Sequence, residues 1–262
     1  MASDSQSLSV LAQNMGLKLE QFGTGQPLLV LHGGGGKATV AAFAQSLADS
    51  FNVILPTHPG FDGTERSARI FSIKELAAAY VGLLAAAKLE NVIVIGFSMG
   101  GWIAAEMAVH RPQTMAGLIL VDAVGITVSG EDVLDVFSIA PNQIADFSFH
   151  EPNKFRIDMA ALSPEKKSML QANFAALAVY GRALNMQDPD LAARLSVVNV
   201  PSLVIWGESD RVASPAYGKA FVAAMPGSCF ELIASCGHLP QLEQPAVLRS
   251  FLERFAKEQF HS

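Results

Sequence analysis

The sequence predicts an α/β protein in which a mostly parallel sheet carries helices on both faces. Short apolar, β-branched runs recur along the chain, and most of them are followed by a stretch of helical composition. Strands that are apolar on both faces need a cover on both sides, which is typical of parallel sheets. The chain has 262 residues, of which 50% are hydrophobic and 16% charged, and this is enough apolar material for one large core.

The N-terminal half is predicted to start with a hairpin and to continue as alternating strands and helices. Residues 9–13 and 17–22 form the predicted hairpin, around Asn14-Met15-Gly16. A helix is expected to begin at Ser72, because Glu75 stands three residues later and completes a capping box. The predicted strands are 27–31, 51–55, 92–96 and 117–122, and the predicted helices are 38–49, 72–88 and 99–110.

The alternation stops after Gly125 and resumes near residue 200. Residues 126–190 contain no buried-type strand, and their predicted helical stretches lie near 131–138, 141–148 and 164–185. Beyond this segment the predicted elements are strands 200–206 and 229–233 and helices 215–224 and 241–257. The sequence therefore predicts a core made of residues 1–125 and 191–262, with residues 126–190 inserted as a helical cap over the strand ends.

One serine stands at the corner between a predicted strand and a predicted helix. The strand 92–96 runs directly into Gly96-Phe97-Ser98-Met99-Gly100, and helical composition follows. This Gly-x-Ser-x-Gly pattern predicts a sharp turn that leaves no room for side chains at its two glycines and exposes the Ser98 hydroxyl. The N–H groups of the following helix point toward the same place. Ser98 is therefore the candidate nucleophile.

A serine hydroxyl is a weak nucleophile unless a base accepts its proton and a third group orients the base. Among six histidines, His238 lies in a glycine loop after strand 229–233, at the strand end where α/β sheets build their sites. Asp210 and Asp122 both follow predicted strands and are candidates for the orienting acid. Asp210 is favoured because its strand directly precedes the one that leads to His238. Asp122 is explained as a structural acceptor for loop N–H groups.

Four consecutive glycines follow the strand at 27–31, in His32-Gly33-Gly34-Gly35-Gly36. Glycines let backbone N–H groups approach a substrate oxygen closely, as the oxyanion of an acyl-transfer intermediate requires. The predicted oxyanion donors are the N–H of Gly34, with Gly35 as the second choice, and the N–H of Met99. A phosphate-binding loop is disfavoured because the lysine and Ser/Thr of a Walker motif are missing. His32 is expected to brace the loop.

Together these stretches resemble the α/β-hydrolase superfamily over essentially the whole chain. The resemblance rests on residues 32–36, 59–64 (Pro-Gly-Phe-Asp-Gly-Thr), 96–101, 207–212 (Gly-Glu-Ser-Asp-Arg-Val) and the pair Gly237-His238. It implies a mostly parallel eight-stranded sheet, an inserted helical cap and a Ser98-His238-Asp210 triad. It also implies an esterase-like serine hydrolase that cleaves a small apolar ester through an acyl-enzyme. Such a mechanism needs no metal and no organic cofactor.

Three other functions stay open. The chain is similar to carbon–carbon bond hydrolases of ring-cleavage products in its His-Gly-Gly-Gly loop and cap, although Phe97 and Leu239 stand where that family usually has Asn and Trp. It shares its Phe-Ser-Met-Gly-Gly elbow with cofactor-free perhydrolases and haloperoxidases, which usually have little cap. The non-enzyme alternative is a ligand receptor that retains the triad and turns over slowly.

An apolar substrate pocket is expected between the candidate catalytic positions and the cap, because ligand sites are lined mostly by apolar side chains. Its predicted lining residues flank those positions or are aromatic residues of the cap. They are Gly35, Phe97, Val124, Phe147, Phe174, Val212 and Leu239.

Charge and composition restrict the partners. The net charge is −6 and no basic stripe is visible, which argues against a nucleic-acid partner and leaves a small molecule as the expected one. Cys229 and Cys236 indicate neither a disulfide framework nor a metal site. Residues 1–8 lack a signal-peptide pattern, and no apolar run is long enough to span a bilayer, so we expect a cytoplasmic location. The sequence makes no prediction of the oligomeric state.

Overall fold

The computed structural model describes residues 2–66, 69–110 and 112–260 of the chain. Its strands, in chain order, are β1 (Lys18–Phe22), β2 (Gln26–Leu31), β3 (Phe51–Thr57), β4 (Val92–Phe97), β5 (Met115–Val121), β6 (Gly125–Ile126), β7 (Gln187–Asp188), β8 (Ser202–Gly207) and β9 (Cys229–Ile233). Each strand that the sequence predicts in the two core ranges is present, apart from the first arm of the hairpin. The β-branched, apolar composition of these runs is the reason they form strands.

The strands form one large sheet and one short pair. The sheet has the order β1-β3-β2-β4-β5-β8-β9, and β6 pairs with β7. β1 runs antiparallel to β3, while every other pairing in the sheet is parallel. The prediction of a mostly parallel sheet is therefore confirmed. Within the described ranges the sheet has seven strands, so the expected number of eight is wrong.

The first arm of the predicted hairpin is a helix. Residues 9–13 lie inside α1 (Ala2–Asn14), whereas the second arm, 17–22, contains β1. Leu8 and Ala12 are buried in the core, and Leu11 and Met15 pack against the same cluster. These four apolar residues recur at the i, i+3, i+4, i+7 spacing of a helix face, a signal that outweighs the turn residues after them. β1 therefore has β3 as its one neighbour in the described sheet.

Helices cover both faces of the sheet, as predicted. They are α2 (Ala38–Ser46), α3 (Ile73–Ala86), α4 (Met99–Val109), α5 (Ile144–Ser148), α6 (Pro152–Phe155), α7 (Pro164–Gly181), α8 (Leu191–Arg194), α9 (Pro215–Ala224), α10 (Pro240–Glu243) and α11 (Pro245–Phe260). α3, α4 and α9 bury residues such as Tyr80, Ile103 and Phe221 in one core cluster. α2 and α11 bury Phe43 and Leu252 in the cluster on the opposite face. The capping box of Ser72 and Glu75 at the start of α3 is confirmed.

Residues 126–190 stand between β5 and β8 and contain α5, α6 and α7, with β6 and β7 at the two ends of the segment. The helix predicted at 131–138 is wrong, because Glu131 forms an isolated bridge, residues 132–135 have no regular secondary structure and residues 136–138 form a turn. The N–H of Leu134 donates to the carbonyl of Val212, and Asp135 Oδ1 accepts the N–H of Phe137 at 3.0 Å. These two N–H groups therefore donate to a core loop and to a side chain instead of to the carbonyls of a helix. The division into core and cap stays a prediction.

The parallel strands bring four functional stretches to one edge of the sheet. The glycine loop follows β2, Ser98 follows β4, Asp210 follows β8 and His238 follows β9. Because these strands run in the same direction, their C-terminal ends lie along the same edge. None of the described helices combines the length and the apolar character needed to cross a bilayer.

Candidate active site

Ser98 occupies a tight turn between β4 and α4. Its φ is +52° and its ψ is −117°, a backbone conformation that non-glycine residues rarely adopt. A Cβ at Gly96 would lie 2.2 Å from the carbonyl oxygen of Gly100, and a Cβ at Gly100 would lie 2.1 Å from that of Leu31. Both positions therefore require glycine, because the backbone segments approach too closely for a side chain.

The Ser98 hydroxyl, the His238 ring and the Asp210 carboxylate form one continuous hydrogen-bonded chain. His238 Nε2 lies 2.9 Å from Ser98 Oγ, and His238 Nδ1 lies 2.8 Å from Asp210 Oδ2. Because a carboxylate only accepts, Nδ1 carries the hydrogen and Nε2 is left free to accept a proton from Ser98. His238 is 7% exposed and Asp210 is 4% exposed, so water competes little for these bonds.

Asp210 is held by the backbone of its own loop. Its Oδ1 accepts the N–H of Val212 at 2.7 Å and the N–H of Ala213 at 3.1 Å, while Oδ2 receives the His238 ring. The loop lies beside the His238 loop because β8 and β9 are hydrogen-bonded neighbours. The structure thus brings together the acid and the histidine that the sequence pairs.

Glu243, which the sequence analysis missed, fastens the His238 loop to the 126–190 segment. Its Oε2 accepts the N–H of Gly237 at 2.6 Å, and its Oε1 accepts the N–H groups of His150 and Glu151 at 2.9 and 3.2 Å. The N–H of His238 itself donates to the carbonyl of Ser148 at 2.8 Å. The backbone position of His238 is therefore set from two sides.

Two buried histidines and Tyr80 brace the glycine loop. His32 Nε2 accepts the N–H of His58 at 3.1 Å, so His32 Nδ1 donates to the carbonyl of Gly33 at 2.8 Å. His58 Nε2 donates to the carbonyl of His32 at 3.0 Å, and its Nδ1 therefore accepts the Tyr80 hydroxyl at 2.6 Å. Burial lowers the pKa of His32 to about 4, and burial together with the nearby His32 lowers the pKa of His58 well below its ordinary value. Both rings are neutral at pH 7.

We expect these two histidines to make the fold sensitive to acid. A histidine whose pKa is depressed by folding stabilises the native state above its unfolded pKa of about 6.5, and this stability is lost as the pH falls toward the folded value. For His32 the loss between about pH 7.5 and pH 5 is about 2 kcal/mol. Urea unfolding at the two pH values measures it.

His32→Gln, which removes one titrating ring, should reduce this pH dependence even if it lowers the overall stability. His110→Gln changes an exposed histidine and is the matched control, which should keep the wild-type dependence. Equal pH dependence in His32→Gln and the wild type would contradict the neutral, buried state of His32.

The two predicted oxyanion donors belong to segments that adjoin Ser98. Met99 is the first residue of α4, where a backbone N–H has no partner inside the helix. The N–H of Gly34 has no acceptor among the described residues. A Cβ at the adjacent Gly33 would lie 3.1 Å from the Cβ of Ser98, so the glycine loop runs directly beside the serine.

Helix α7 packs against the glycine loop through two residues that the sequence analysis missed. A Cβ at Gly34 would lie 2.7 Å from Cδ2 of Leu177. One turn earlier, the buried Asn173 donates from Nδ2 to the carbonyl of Gly35 at 3.2 Å and to Asp62 Oδ1 at 2.9 Å. Asn173 and Leu177 are four residues apart and so share a helix face, which is the signal that could have identified them.

The family of the chain follows from a comparison with known proteins. The model of the alpha/beta hydrolase family matches residues 28–251, which include the glycine loop, Ser98, Asp210 and His238. The chain belongs to the alpha/beta hydrolase family.

Individual members of the alpha/beta hydrolase family are similar over most of this chain. A 2-hydroxy-6-oxo-2,4-heptadienoate hydrolase of Pseudomonas putida is 26% identical, over 90% of this chain and 90% of its own length. The structure of a thermophilic esterase from Thermogutta terrifontis is 27% identical, with a TM-score of 0.71 over 91% of this chain and 93% of that one. A meta-cleavage product hydrolase from Pseudomonas fluorescens is 18% identical, with a TM-score of 0.77 over 92% and 94% of the two chains, and shows the shared fold.

Two of the predicted pocket residues of this alpha/beta hydrolase pack against other aromatic side chains. The Phe97 ring is buried in the core, where it packs edge-on against Phe43 of α2 with 5.9 Å between ring centroids. Phe174 is 37% exposed, and its ring contacts Phe137 at 5.4 Å. Of the remaining predicted pocket residues, Val124 and Val212 are buried, Phe147 and Leu239 are half-buried, and Gly35, in the glycine loop, is exposed.

One group of side chains in the described ranges is close enough to share a metal ion, namely Asp122, Asp210 and His238. Both ring nitrogens of His238 already take part in hydrogen bonds, with Ser98 and with Asp210. We therefore attribute the grouping to hydrogen bonding and assign no metal to it. Cys229 and Cys236 are both free thiols.

Proposed function

We propose that this alpha/beta hydrolase is a serine esterase that cleaves a small apolar ester through an acyl-enzyme. The observation that carries the proposal is the unbroken chain from Ser98 Oγ through both nitrogens of His238 to Asp210, with bonds of 2.9 and 2.8 Å. This is the arrangement in which a histidine activates a serine and a carboxylate orients the histidine. The esterase from Thermogutta terrifontis, 27% identical, supports the same class of reaction.

The proposed reaction proceeds in two halves. Ser98 Oγ attacks the ester carbonyl while His238 Nε2 accepts its proton, and Asp210 stabilises the resulting imidazolium. The N–H groups of Gly34 and Met99 stabilise the oxyanion of the tetrahedral intermediate. His238 returns the proton to the departing alkoxide. It then takes a proton from a water molecule, which attacks the acyl-enzyme, releases the acid and restores Ser98.

Multiple turnover on p-nitrophenyl esters tests the proposal. We expect the purified protein to hydrolyse short and medium acyl esters with kcat on the order of 1 s⁻¹ or more, as enzymes of ordinary activity do. A single burst of p-nitrophenol without further turnover would instead support the receptor alternative, because a receptor that retains the triad acylates and then hydrolyses slowly. A cytoplasmic location stays a prediction.

Hydrolysis of a carbon–carbon bond is the second candidate. The name of the Pseudomonas putida relative, a 2-hydroxy-6-oxo-2,4-heptadienoate hydrolase that is 26% identical, favours it. We place it second because Phe97 and Leu239 depart from the pattern of that family. An assay with a 2-hydroxy-6-oxo-dienoate, followed by its loss of absorbance, distinguishes the two. A kcat/KM higher for the dienoate than for every ester would reverse the order of the candidates.

We further propose that the 126–190 segment acts as a cap and that Leu177 limits the acyl group that can bind. Leu177 contacts Gly34 of the glycine loop, whereas Phe174, on the same helix α7, is exposed. Leu177→Ala should therefore shift the preference among acyl esters toward longer chains, and Phe174→Ala, the matched control, should shift it much less. The measurement is kcat/KM over a series of p-nitrophenyl esters.

Leu177→Ala also removes a buried side chain, which costs about 2–5 kcal/mol of stability in typical cores. The fold is therefore checked by the melting temperature, and the ratio of kcat/KM values between esters is compared rather than their absolute size. Ratios that change equally in both variants would contradict the proposed role of Leu177.

A further inference from the structure

Asp122 is a buried carboxyl group at the end of β5 that the proposed mechanism does not use. Its backbone has a φ of +43°, which L residues rarely adopt, and its side chain has no exposed surface. Its Oδ1 accepts the N–H of Gly207, the last residue of β8, at 2.8 Å. The side chain therefore reaches across the sheet edge from β5 to the strand that carries the Asp210 loop.

The other oxygen of Asp122 has no donor. Oδ2 is fully buried and lacks a hydrogen-bond partner among the described residues. Oxygens of Asp122 and Asp210 and a ring nitrogen of His238 lie within 4.8 Å of one another. A buried acceptor without a donor is unfavourable, and so are two adjacent buried carboxylates. One proton placed between the two carboxyl groups removes both penalties.

The hydrogen bonds decide which carboxyl group holds that proton. Asp210 receives three N–H donors, from Val212, Ala213 and the His238 ring, whereas Asp122 receives one. Burial, in the first place, and then the negative charge of Asp210 raise the pKa of Asp122 well above its ordinary value. Glu243 acts in the same direction on Asp122.

The remaining titratable neighbour on the histidine loop is the Cys236 thiol. Burial, in the first place, raises its pKa, and the negative charges of Glu243 and Asp210 act in the same direction, so the thiol carries no charge at neutral pH. The neutral form of Asp122 is therefore favoured by its burial and by the negative charges of Asp210 and Glu243.

We propose that Asp122 is a neutral carboxylic acid that donates a hydrogen bond from Oδ2 to Asp210, and so acts as a positioning residue for the acid that orients His238. The two oxygens of Asp122 then have different tasks. Oδ1 accepts from the end of β8, and Oδ2 donates to Asp210. The kinetic consequences rest on the proposed function, whereas the protonation of Asp122 does not.

Infrared spectroscopy tests the protonation directly. The probe is the whole protein labelled with ¹³C at the aspartate side-chain carboxyl groups, compared with Asp122→Asn near pH 7. We expect a carboxylic-acid C=O band in the wild type that is absent from the variant. A wild-type spectrum with carboxylate bands alone would overturn the proposal. Because no turnover is measured, this result is independent of whether the protein is an esterase.

The pH dependence of kcat/KM for a p-nitrophenyl ester tests the positioning role. Asp122→Asn retains an acceptor for Gly207 and supplies an N–H donor for Asp210, so we expect a loss of activity of no more than a few-fold. The apparent pKa of the acid limb, where kcat/KM falls as His238 is protonated, should stay nearly unchanged. An ionised Asp122 would stabilise the His238 cation, and Asp122→Asn would then lower the apparent pKa of the acid limb by about one unit. That shift would overturn the proposal.

Asp122→Leu keeps the approximate size of the side chain but cannot donate a hydrogen bond. We expect about a tenfold or greater loss of kcat. We also expect a higher apparent pKa of the acid limb of the pH profile, because the Asp210 carboxylate, without its hydrogen-bond donor, stabilises the His238 cation more strongly. A folded Asp122→Leu protein with an unmoved acid limb would show a purely structural role and overturn the proposal. If Asp122→Leu does not fold, the infrared comparison and Asp122→Asn decide.

Discussion

Replacing Ser98 by alanine should abolish covalent labelling by a fluorophosphonate and lower kcat by about 10⁴-fold or more. The reason is that Ser98 Oγ, 2.9 Å from His238 Nε2, is the proposed attacking atom. In the wild type it attacks phosphorus, fluoride departs, and one phosphonyl group remains attached. Intact-protein mass spectrometry counts the adduct, and ester turnover gives kcat.

A second serine provides a matched control for this experiment. Ser235, on the loop before His238, also has a positive φ, of +52°. Its hydroxyl is not hydrogen-bonded to a histidine in the described structure. Ser235→Ala should therefore keep both the adduct and most of the turnover. If the adduct persists in Ser98→Ala, the assignment of the nucleophile is wrong.

The second large effect is expected at Asp210. Asp210→Asn keeps the shape of the side chain, but the amide can present an N–H toward His238 Nδ1 and favour the imidazole tautomer whose Nε2 cannot accept the Ser98 proton. The expected loss is on the order of 10⁴ in kcat at neutral pH, with little change in folding. Steady-state kinetics and the melting temperature of the variant measure the two quantities.

Asp122→Asn is the comparison that gives this experiment its meaning. Asp122 is as deeply buried as Asp210 and lies close to it, but it is not bonded to the His238 ring among the described contacts. The substitution Asp122→Asn should therefore cost far less activity than Asp210→Asn. If Asp122→Asn abolished turnover while Asp210→Asn left it nearly intact, the orienting acid would belong to β5 instead of β8.

Much of the site could be predicted because local sequence dictates it. Gly96 and Gly100 approach other backbone segments so closely that glycine is obligatory at the elbow. The Gly-x-Ser-x-Gly pattern is therefore enough to predict the geometry of the turn. The sequence pairs Asp210 with His238 because consecutive strands tend to be neighbours, and β8 and β9 are indeed adjacent in the sheet. The sequence does not identify Leu177 as a site residue. Its periodicity shows which residues share a helix face, but not which part of the protein that face contacts.

Where sequence prediction failed, a competing local or tertiary interaction was stronger. The turn residues after residues 9–13 favour a hairpin arm there, yet Leu8 and Ala12 belong to an apolar helix face that is buried in the core. Residues 131–138 have helical composition, but the N–H of Leu134 is taken by Val212, which lies far along the chain. Such long-range hydrogen bonds cannot be inferred from composition.

By itself, the sequence determined the parallel α/β core, the serine at its elbow and the order in which the acid and the histidine follow, because each depends on backbone sterics or on hydrophobic pattern over a few residues. The sequence favours Asp210 over Asp122 as the orienting acid, but only the tertiary structure shows that Asp210 meets the imidazole while Oδ2 of Asp122 lies nearby without a donor. Asp122 and Asp210 both follow strands, and their difference arises from the β5-β8-β9 order of the sheet and from the number of N–H groups that each receives. These are properties of the assembled loops, since the groups that meet there are as many as 116 positions apart, from Asp122 to His238.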